Sequence, residues 1–234
     1  MITASALSTL ADPELFALMR RDLNSAVIGD ILDQMGFRRQ FLPHGIAPLA
    51  PSTTIAGRAM PVLEQDIPDA QIDGTGAPTR NAFGLMFRAL DSLQPGEIYL
   101  ASTPSLGYAL WGGLMTTRAL HLGAAGAILN GFARDADEIA RLGLPVFCRG
   151  LYAQDQAPRG KVVDMRCPLQ VGQARVEPGD LMFGDREGVL VIPRAAEREA
   201  IARSFEKLAT ENKVADAIRG GMGTVEAFDT FGVM

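Results

Sequence analysis

The chain has 234 residues, of which 47% are hydrophobic and 21% are charged, an ordinary composition for a globular protein with one large core. Its formal charge of −5 gives no electrostatic reason to bind nucleic acid or an anionic membrane, and no segment approaches the roughly 20 apolar residues of a membrane-spanning helix. The first residues lack the basic and apolar character of a leader, and Cys148 and Cys167 lack zinc-ligand spacing, so we expect a cytoplasmic protein with reduced thiols.

Two helices are predicted near the N-terminal end, within about residues 12–36. Asp12 is placed to cap the first helix, and Pro13 to occupy its first turn. The second helix has apolar residues at helical spacing, namely Val27, Ile28, Ile31, Leu32 and Met35. Asp30 falls on the polar face of this helix, where a solvated side chain is a simpler interpretation than a catalytic one.

The remainder of the chain is predicted to contain many short strands, followed by a long C-terminal helix. The strand candidates are Ile55–Leu63, Ile98–Ala101, Ala127–Leu129, Leu144–Cys148, Lys161–Asp164, Leu169–Val176, Leu181–Phe183 and Gly188–Ile192. Helical spacing then predicts a helix from about Ala195 to Arg219, and the apolar tail up to Met234 is expected to dock on its own domain or on a neighbouring subunit. No low-complexity linker divides the chain, so we expect a single domain over residues 1–234.

The segment Trp111–Glu138 contains the residues that say most about function. Gly112 and Gly113 precede apolar residues at helical spacing, so they are predicted to lie where a helix begins. The first backbone N–H groups of a helix have no acceptor inside it, and the helix dipole gives this end a positive character. The sequence therefore predicts an anion site at this helix start.

Arg134 and Asp135 follow the predicted strand Ala127–Leu129 and a turn at Asn130-Gly131. Asp135 has two interpretations that the pattern alone does not separate. Together with Glu138 it matches the capping box of a helix start, which is a structural role. A single Asp with several waters is also a suitable ligand set for Mg²⁺ or Mn²⁺. The adjacent Arg134 and the preceding glycine pair favour the metal-binding interpretation.

This arrangement resembles the family of the regulator of ribonuclease activity A and the 4-hydroxy-4-methyl-2-oxoglutarate aldolases, which are class II, metal-dependent pyruvate lyases. The lyases of the family carry Asp or Gly, twenty intervening residues, Arg-Asp and then an acid, and this chain has Gly113, Arg134, Asp135 and Glu138 at those places. The resemblance extends over nearly the whole chain through Gly29-Asp30, Ala124–Ala127, Pro145–Phe147, Pro178–Asp180, Gly184-Asp185, Gly188-Val189 and Ile192–Arg194.

The resemblance implies an α/β protein with a β/β/α fold like the swivelling phosphohistidine domain. It implies N-terminal helices, a long C-terminal helix, and a homotrimer or hexamer whose sites lie between subunits. A (β/α)₈ barrel, the fold of other class II pyruvate aldolases, is the alternative at this length. The strand-rich second half of the sequence argues against that barrel.

The resemblance also implies roles for the residues of the central segment. Asp135 corresponds to the ligand of a divalent metal, Mg²⁺ or Mn²⁺, and Arg134 corresponds to a residue that contacts the substrate's oxygen. The implied reaction cleaves a 4-hydroxy-2-oxo acid, of the 4-hydroxy-4-methyl-2-oxoglutarate or 4-carboxy-4-hydroxy-2-oxoadipate type, to pyruvate and a second oxo acid. The same chemistry would decarboxylate oxaloacetate, because that reaction also leaves a pyruvate enolate.

Two further parts of the site follow from the resemblance. Within Gly112–Met115, the amides of Leu114 and Met115 correspond to those that hold the carboxylate of the pyruvate portion, in line with the predicted anion site. A glutamate of the neighbouring subunit's C-terminal helix is implied to order water on the metal, and Glu211 is the candidate, with Glu206 close by.

Gly113 departs from the pattern of several aldolases in this family, which have Asp there to handle a proton or a metal-bound water. Another acid such as Glu211 then serves, or the substrate differs. The alternative function is a non-catalytic regulator that binds a ribonuclease or helicase by protein contact. Regulators of this family can lack the metal-binding Asp, so Asp135 favours the lyase.

Overall fold

The computed structural model describes residues 7, 9–68 and 80–233. The helices used below are α1 (Asp12–Asp22), α2 (Ser25–Gln34), α3 (Met86–Asp91), α4 (Gly113–His121), α5 (Ala136–Leu142), α6 (Glu197–Arg219) and α7 (Thr224–Phe231), with a 3₁₀ turn at Arg80–Phe83. The strands are β1 (Ala47–Pro48), β2 (Ile55–Asp66), β3 (Glu97–Ser102), β4 (Ala109–Trp111), β5 (Gly126–Asn130), β6 (Phe132–Ala133), β7 (Val146–Cys148), β8 (Gly150–Leu151), β9 (Gly160–Met165), β10 (Leu169–Val171), β11 (Ala174–Val176), β12 (Leu181–Gly184) and β13 (Val189–Ile192).

The main sheet is mixed and curled, and it has the order β1-β7-β5-β3-β2-β12-β13, with β9 also paired to β2. Strands β2, β3, β5 and β7 run parallel, whereas β1, β9, β12 and β13 pair antiparallel to their neighbours. This confirms the α/β fold class. The alternative (β/α)₈ barrel is wrong, because tight connections such as the β12–β13 hairpin give antiparallel pairs and the sheet remains a half-barrel.

The core lies on both faces of this sheet. Helices α3, α4 and α5 cover one face together with Tyr99 and Trp111, whose rings lie 5.1 Å apart between centroids at an angle of 53°. Helices α1, α2 and α6 cover part of the other face, where Phe16 and Ile28 pack with Ile201 and the strands β12 and β13. The two ends of the chain therefore build one half of the core jointly.

Asp12 does not cap α1, contrary to the expectation from its position. Ala11 occupies the cap, and the Asp12 carboxylate accepts hydrogen bonds from Arg58 Nε at 2.7 Å and Nη2 at 2.6 Å. Arg58 also pairs with the buried Glu197 at the start of α6. These bonds with Arg58 lower the pKa of Asp12, because the charged carboxylate is the form that they favour. The ion pairs tie α1, β2 and α6 together.

The C-terminal segment forms the long helix α6, and its apolar tail continues as a second helix, α7. Lys207 of α6 bonds Asp30 of α2 at 2.6 Å and lies 3.2 Å from Glu211. Asp30 is thus an exposed ion-pair partner between two helices. In the part of the chain that the structure describes, every helix is too short or too polar to cross a membrane.

Candidate active site

A small parallel sheet, β4-β6-β8, brings the candidate residues together. Trp111 pairs with Ala133, and Ala133 pairs with Leu151, so the three strands end side by side. Because the carboxyl ends of parallel strands meet at one edge, the start of α4, the Arg134-Asp135 pair and the segment 152–156 converge there.

The Asp135 carboxylate is held by a backbone amide of another helix. Gly113 N–H donates to Asp135 Oδ2 at 2.9 Å, although Asp135 stands at the N-cap position of its own helix α5. Its side chain makes no capping bond there, and Glu138 bonds Arg141 instead. The capping-box interpretation of Asp135 is therefore wrong. Within the described residues, the carboxylate accepts no other hydrogen bond from the protein.

The backbone conformation of Asp135 and the missing side chain of Gly112 both allow this close approach. Asp135 has φ of 59°, in the left-handed region that few residues other than glycine adopt. A Cβ atom at position 112 would lie 2.7 Å from Asp135 Oδ2, so only glycine leaves room for the carboxylate. An observed backbone outlier of this kind is typical of functional sites.

The start of α4 is anchored by a buried side-chain network. Trp111 Nε1 donates to Thr116 Oγ1 at 2.8 Å, and Thr116 Oγ1 donates to the Gly112 carbonyl at 3.0 Å. The first backbone bond of the helix runs from Thr116 N–H to the same carbonyl. The amides of Leu114 and Met115 precede that bond, so they are the helix-start donors that remain for an anion once Gly113 has bound Asp135.

Arg134 lies beside Gly112 and pairs with an acid that carries no signal in the sequence. Its Nη1 is 3.3 Å from Asp155 Oδ1, and its side chain remains 39% exposed. Asp155 lies in no recognisable sequence motif. It is brought beside Arg134 only by the parallel pairing of β6 and β8. The signal that could have found it is a carboxylate shortly after a short apolar strand.

These residues open on a cleft of 410 Å³. Gly112, Leu114, Arg134, Asp135 and Asp155 lie at its polar end. Its apolar residues come mostly from α3 and β4, with one each from α4 and the 3₁₀ turn, and they are Phe83, Met86, Phe87, Leu90, Ala109, Leu110, Trp111 and Met115. The predicted residues Gly112, Leu114, Met115, Arg134 and Asp135 line this one cleft, whereas the predicted Gly113 is not among its lining residues.

A buried carboxyl group stands behind the cleft. Gln156, which lines the cleft, donates through Nε2 to Glu64 Oε2 at 2.6 Å. Glu64 is 2% exposed, and burial raises its pKa to about 8, because water no longer stabilises the charged form. Sequence analysis missed Glu64 because a β-bulge at Leu63/Glu64 exposes the leucine and turns the glutamate inward.

Gly113 packs closely against Glu138. A Cβ atom at position 113 would lie 2.9 Å from Glu138 Cγ. An aspartate at this position would therefore need the Glu138 side chain, which is 41% exposed and pairs with Arg141, to move aside.

Glu211 and Glu206 do not join the cleft within one chain. Glu211 is on the α6 surface beside Lys207, at 3.2 Å, and Glu206 lines a separate depression with Arg21 and Asp22. The prediction placed Glu211 on a neighbouring subunit, and it stays a prediction.

The donor set permits only a simple metal site. No group of three or more His, Cys, Asp or Glu side chains arranged for a metal occurs among residues 7, 9–68 and 80–233. Asp135 supplies one exposed carboxylate, and Asp155 is engaged by Arg134. A single carboxylate suits a hard ion that keeps most of its waters, such as Mg²⁺, and does not suit zinc.

Comparison with known proteins identifies the class to which this fold and site belong. A profile of the RraA-like family, described as Aldolase/RraA, matches residues 25–191, so the chain belongs to that family. A protein of Halalkalibacterium halodurans named "Putative 4-hydroxy-4-methyl-2-oxoglutarate aldolase" is 26% identical over 180 residues, which are 75% of this chain and 83% of that protein.

Two further similarities extend over most of the chain. Protein DlpA of Legionella pneumophila is 29% identical over 208 residues, which are 89% of this chain and 32% of DlpA. The chain therefore spans about a third of the length of DlpA. The crystal structure of an uncharacterized protein from Pseudomonas syringae pv. tomato has a TM-score of 0.79 and 28% identity, covering 99% of this chain and 97% of that one.

Proposed function

We propose that the protein is a divalent-metal-dependent carbon–carbon lyase that cleaves a 4-hydroxy-2-oxo acid to pyruvate and a second carbonyl compound. This is the class that includes 4-hydroxy-4-methyl-2-oxoglutarate and 4-carboxy-4-hydroxy-2-oxoadipate. The observation that carries the proposal is the Asp135 carboxylate, which binds the helix-start amide of Gly113 instead of capping its own helix. The relative named as an aldolase supports the same reaction class.

Each group at the polar end of the cleft has a distinct task in this reaction. The amides of Leu114 and Met115 bind the C1 carboxylate of the substrate. The C4 hydroxyl passes its proton to a base, for which Glu211 of the neighbouring subunit is the candidate. The O–H electron pair forms the new carbonyl bond at C4, the C3–C4 bond breaks, and the electron pair of that bond moves through C2 to the keto oxygen. The Arg134 guanidinium stabilises the negative charge that develops there, and Asp155 positions Arg134. Protonation at C3 then gives pyruvate.

Asp135 is the residue that would hold Mg²⁺ or Mn²⁺ in this proposal. When bound, such an ion supplies positive charge that polarises the substrate's keto oxygen. The Gly113 N–H bond fixes the orientation of the carboxylate, which is the usual role of a partner that supports a metal ligand. Oxaloacetate is a second expected substrate, because loss of CO₂ from C3 leaves the same pyruvate enolate.

The assembly expected for the site is a homotrimer or a hexamer, with Glu211 of one subunit acting near Asp135 of the next. Leu114 at the start of α4 is 88% exposed, and Leu151 at the end of β8 and Tyr152 after it are also exposed. Exposed apolar side chains near Arg134 and Asp135 are typical of a surface that another subunit covers.

The decisive experiment measures pyruvate released from a panel of 4-hydroxy-2-oxo acids and oxaloacetate, with Mg²⁺, with Mn²⁺ or with a chelator. We expect metal-dependent release that Asp135→Ala abolishes. Asp137→Ala is the matched control, because Asp137 is an exposed acid two residues away with no place in the cleft. Release that persists in Asp135→Ala would contradict the assignment of the metal ligand. The absence of release from every compound would favour the non-catalytic regulator.

A further inference from the structure

We propose that the part of the substrate beyond C4 binds to the apolar wall of the cleft, so that the preferred substrate is a 4-hydroxy-2-oxo monocarboxylate with an apolar or aromatic C4 substituent. This inference rests on the proposed lyase function and specifies the carbonyl compound that leaves. The product besides pyruvate would then be an uncharged aldehyde or ketone instead of an oxo acid.

The apolar wall lies next to the reactive groups. Phe83 and Phe87 make an edge contact with 5.4 Å between ring centroids, and both line the cleft that contains Arg134 and Asp135. Met86 and Leu90 continue the wall along α3, and the side chain of Met115, whose own amide is one of the two proposed to bind C1, continues it along α4. A substrate whose carboxylate is at the start of α4 therefore has aromatic and aliphatic side chains within reach of its other end.

Among the described residues of one chain, each guanidinium that lines the cleft is already paired with a carboxylate. Arg118 Nε bonds Asp91 Oδ1 at 2.8 Å, and Arg134 is paired with Asp155. With Asp135, the described lining has three carboxylates and two guanidiniums, a balance of −1. A 2-oxo dicarboxylate would have to place its distal carboxylate against apolar side chains or near Asp91 and Asp155. Burying a charge without a partner is unfavourable, whereas a phenyl or alkyl group gains from the same burial.

The test compares two substrates in the metal-loaded protein by the rate of pyruvate release. One is 4-hydroxy-2-oxo-4-phenylbutanoate, which yields benzaldehyde, and the other is the dicarboxylate 4-hydroxy-4-methyl-2-oxoglutarate. We expect kcat/KM for the phenyl compound to exceed that for the dicarboxylate by about tenfold or more, the scale at which apolar pockets discriminate. A preference for the dicarboxylate would overturn the inference.

Phe87→Lys provides a second, independent readout. Phe87 is 40% exposed, so lysine is tolerated at this position, and its ammonium would offer the missing partner for a distal carboxylate. We expect the preference ratio to move toward the dicarboxylate by about tenfold. Phe41→Lys is the matched control, because Phe41 is 37% exposed and lies outside the cleft. An unchanged ratio in Phe87→Lys would overturn the inference.

The outcomes separate this inference from the proposed function. If the protein releases pyruvate from neither compound nor from oxaloacetate, the lyase proposal itself fails. If pyruvate is released with metal and lost in Asp135→Ala, but the dicarboxylate is preferred, the lyase remains and the apolar specificity is wrong.

Discussion

At the scale of single residues, Asp135 combines the carboxylate that we propose as the metal ligand with an unfavourable backbone conformation. Its φ of 59° costs on the order of 1–3 kcal/mol for a residue with a Cβ atom, and the cost is lower for Asp than for most. The surrounding bonds hold it there, because its carboxylate is fixed by Gly113 and its backbone carbonyl accepts from Ile139. The backbone conformation at position 135 therefore reduces stability, whereas the proposed function requires the carboxylate there.

The first prediction separates the effect of the Asp135 carboxylate on activity from the effect of the Asp135 backbone conformation on stability. Asp135→Gly and Asp135→Ala both remove the carboxylate, but only glycine relaxes the left-handed backbone. We expect both variants to lose pyruvate release, and Asp135→Gly to be more stable than Asp135→Ala by about 1 kcal/mol. Chemical denaturation of the two variants measures this difference. Equal free energies of unfolding would show that the conformation at position 135 carries no strain.

A second prediction concerns Glu64 and pH. Folding raises the pKa of the Glu64 carboxyl from 4.5 to about 8. Between these pH values, the folded protein therefore keeps a proton on Glu64 that the unfolded chain has lost. The contribution of Glu64 to stability is therefore fully present below about pH 4.5 and is lost as pH rises to about 8. The slope approaches about 1.4 kcal/mol per pH unit.

Glu64→Gln tests that slope, because the amide keeps an acceptor for Gln156 and does not titrate. The pKa of Glu64 is 4.5 in the unfolded chain and about 8 in the folded protein. Between these two pH values, we expect the free energy of unfolding of the wild-type protein to fall relative to that of the variant. Asp66, Tyr99 and Tyr108 surround Glu64 and are unchanged in the variant, so the comparison changes only the residue at position 64. Parallel curves would contradict a neutral Glu64.

The residues that the sequence could identify are those that lie next to one another in the chain. Arg134 and Asp135 are adjacent, and the glycine pair at Gly112-Gly113 carries its own helix-start signal. Glu64 and Gln156 are separated by 92 positions and meet only through tertiary structure. No periodicity connects such a pair, so a single sequence could not predict it.

At the scale of elements, the site depends on strands too short to predict. The strands β4, β6 and β8 have three, two and two residues, below the length at which alternation is recognisable. The helix start at Gly113 was predictable, because its glycines and apolar spacing are local. The prediction that Asp12 caps α1 was wrong, because the cap pattern is local whereas the actual partner of Asp12, Arg58, is 46 positions away in the chain.

The third prediction tests the anchor of α4. Thr116→Val removes the hydroxyl that accepts from Trp111 and donates to the Gly112 carbonyl, and it leaves the buried indole N–H without a partner. We expect a loss of about 1–3 kcal/mol in stability and a higher KM for the 2-oxo acid, because the amides that bind C1 are less well fixed. Denaturation and steady-state kinetics measure the two effects.

Thr117→Val is the control for this change. Thr117 is in the same turn and makes the same type of bond, from its hydroxyl to the Gly113 carbonyl at 3.0 Å, but it is exposed. We expect little change in its stability or KM. A similar loss in both variants would show that the network with Trp111 has no special role.

At the scale of the whole molecule, the fourth prediction concerns sites shared between subunits. Asp135→Ala and Glu211→Ala are each expected to be inactive in pyruvate release. If Glu211 acts on the neighbour's Asp135, a mixed assembly contains some sites with both residues intact, so co-refolded variants regain activity. Light scattering should give a native mass of three or six times the 25.0 kDa of one chain.

A mixture of Arg134→Ala and Asp135→Ala is the matched negative control, because both residues come from one chain and every mixed site has a lesion. Activity restored in that mixture would mean that a variant preparation contains intact wild-type subunits. No recovery in the Asp135→Ala and Glu211→Ala mixture would exclude Glu211 from the site.

The helices α1 and α2 cannot reach their native packing during synthesis until α6 has been made, because the three helices pack together. Residues such as Phe16 and Ile28 leave the ribosome long before Ile201, their packing partner, exists. At about 5–20 residues per second, the intervening chain takes on the order of ten seconds or more to make. We therefore expect the N-terminal helices to be apolar, unpaired nascent segments that chaperones shield, and to acquire their native packing only near the end of translation.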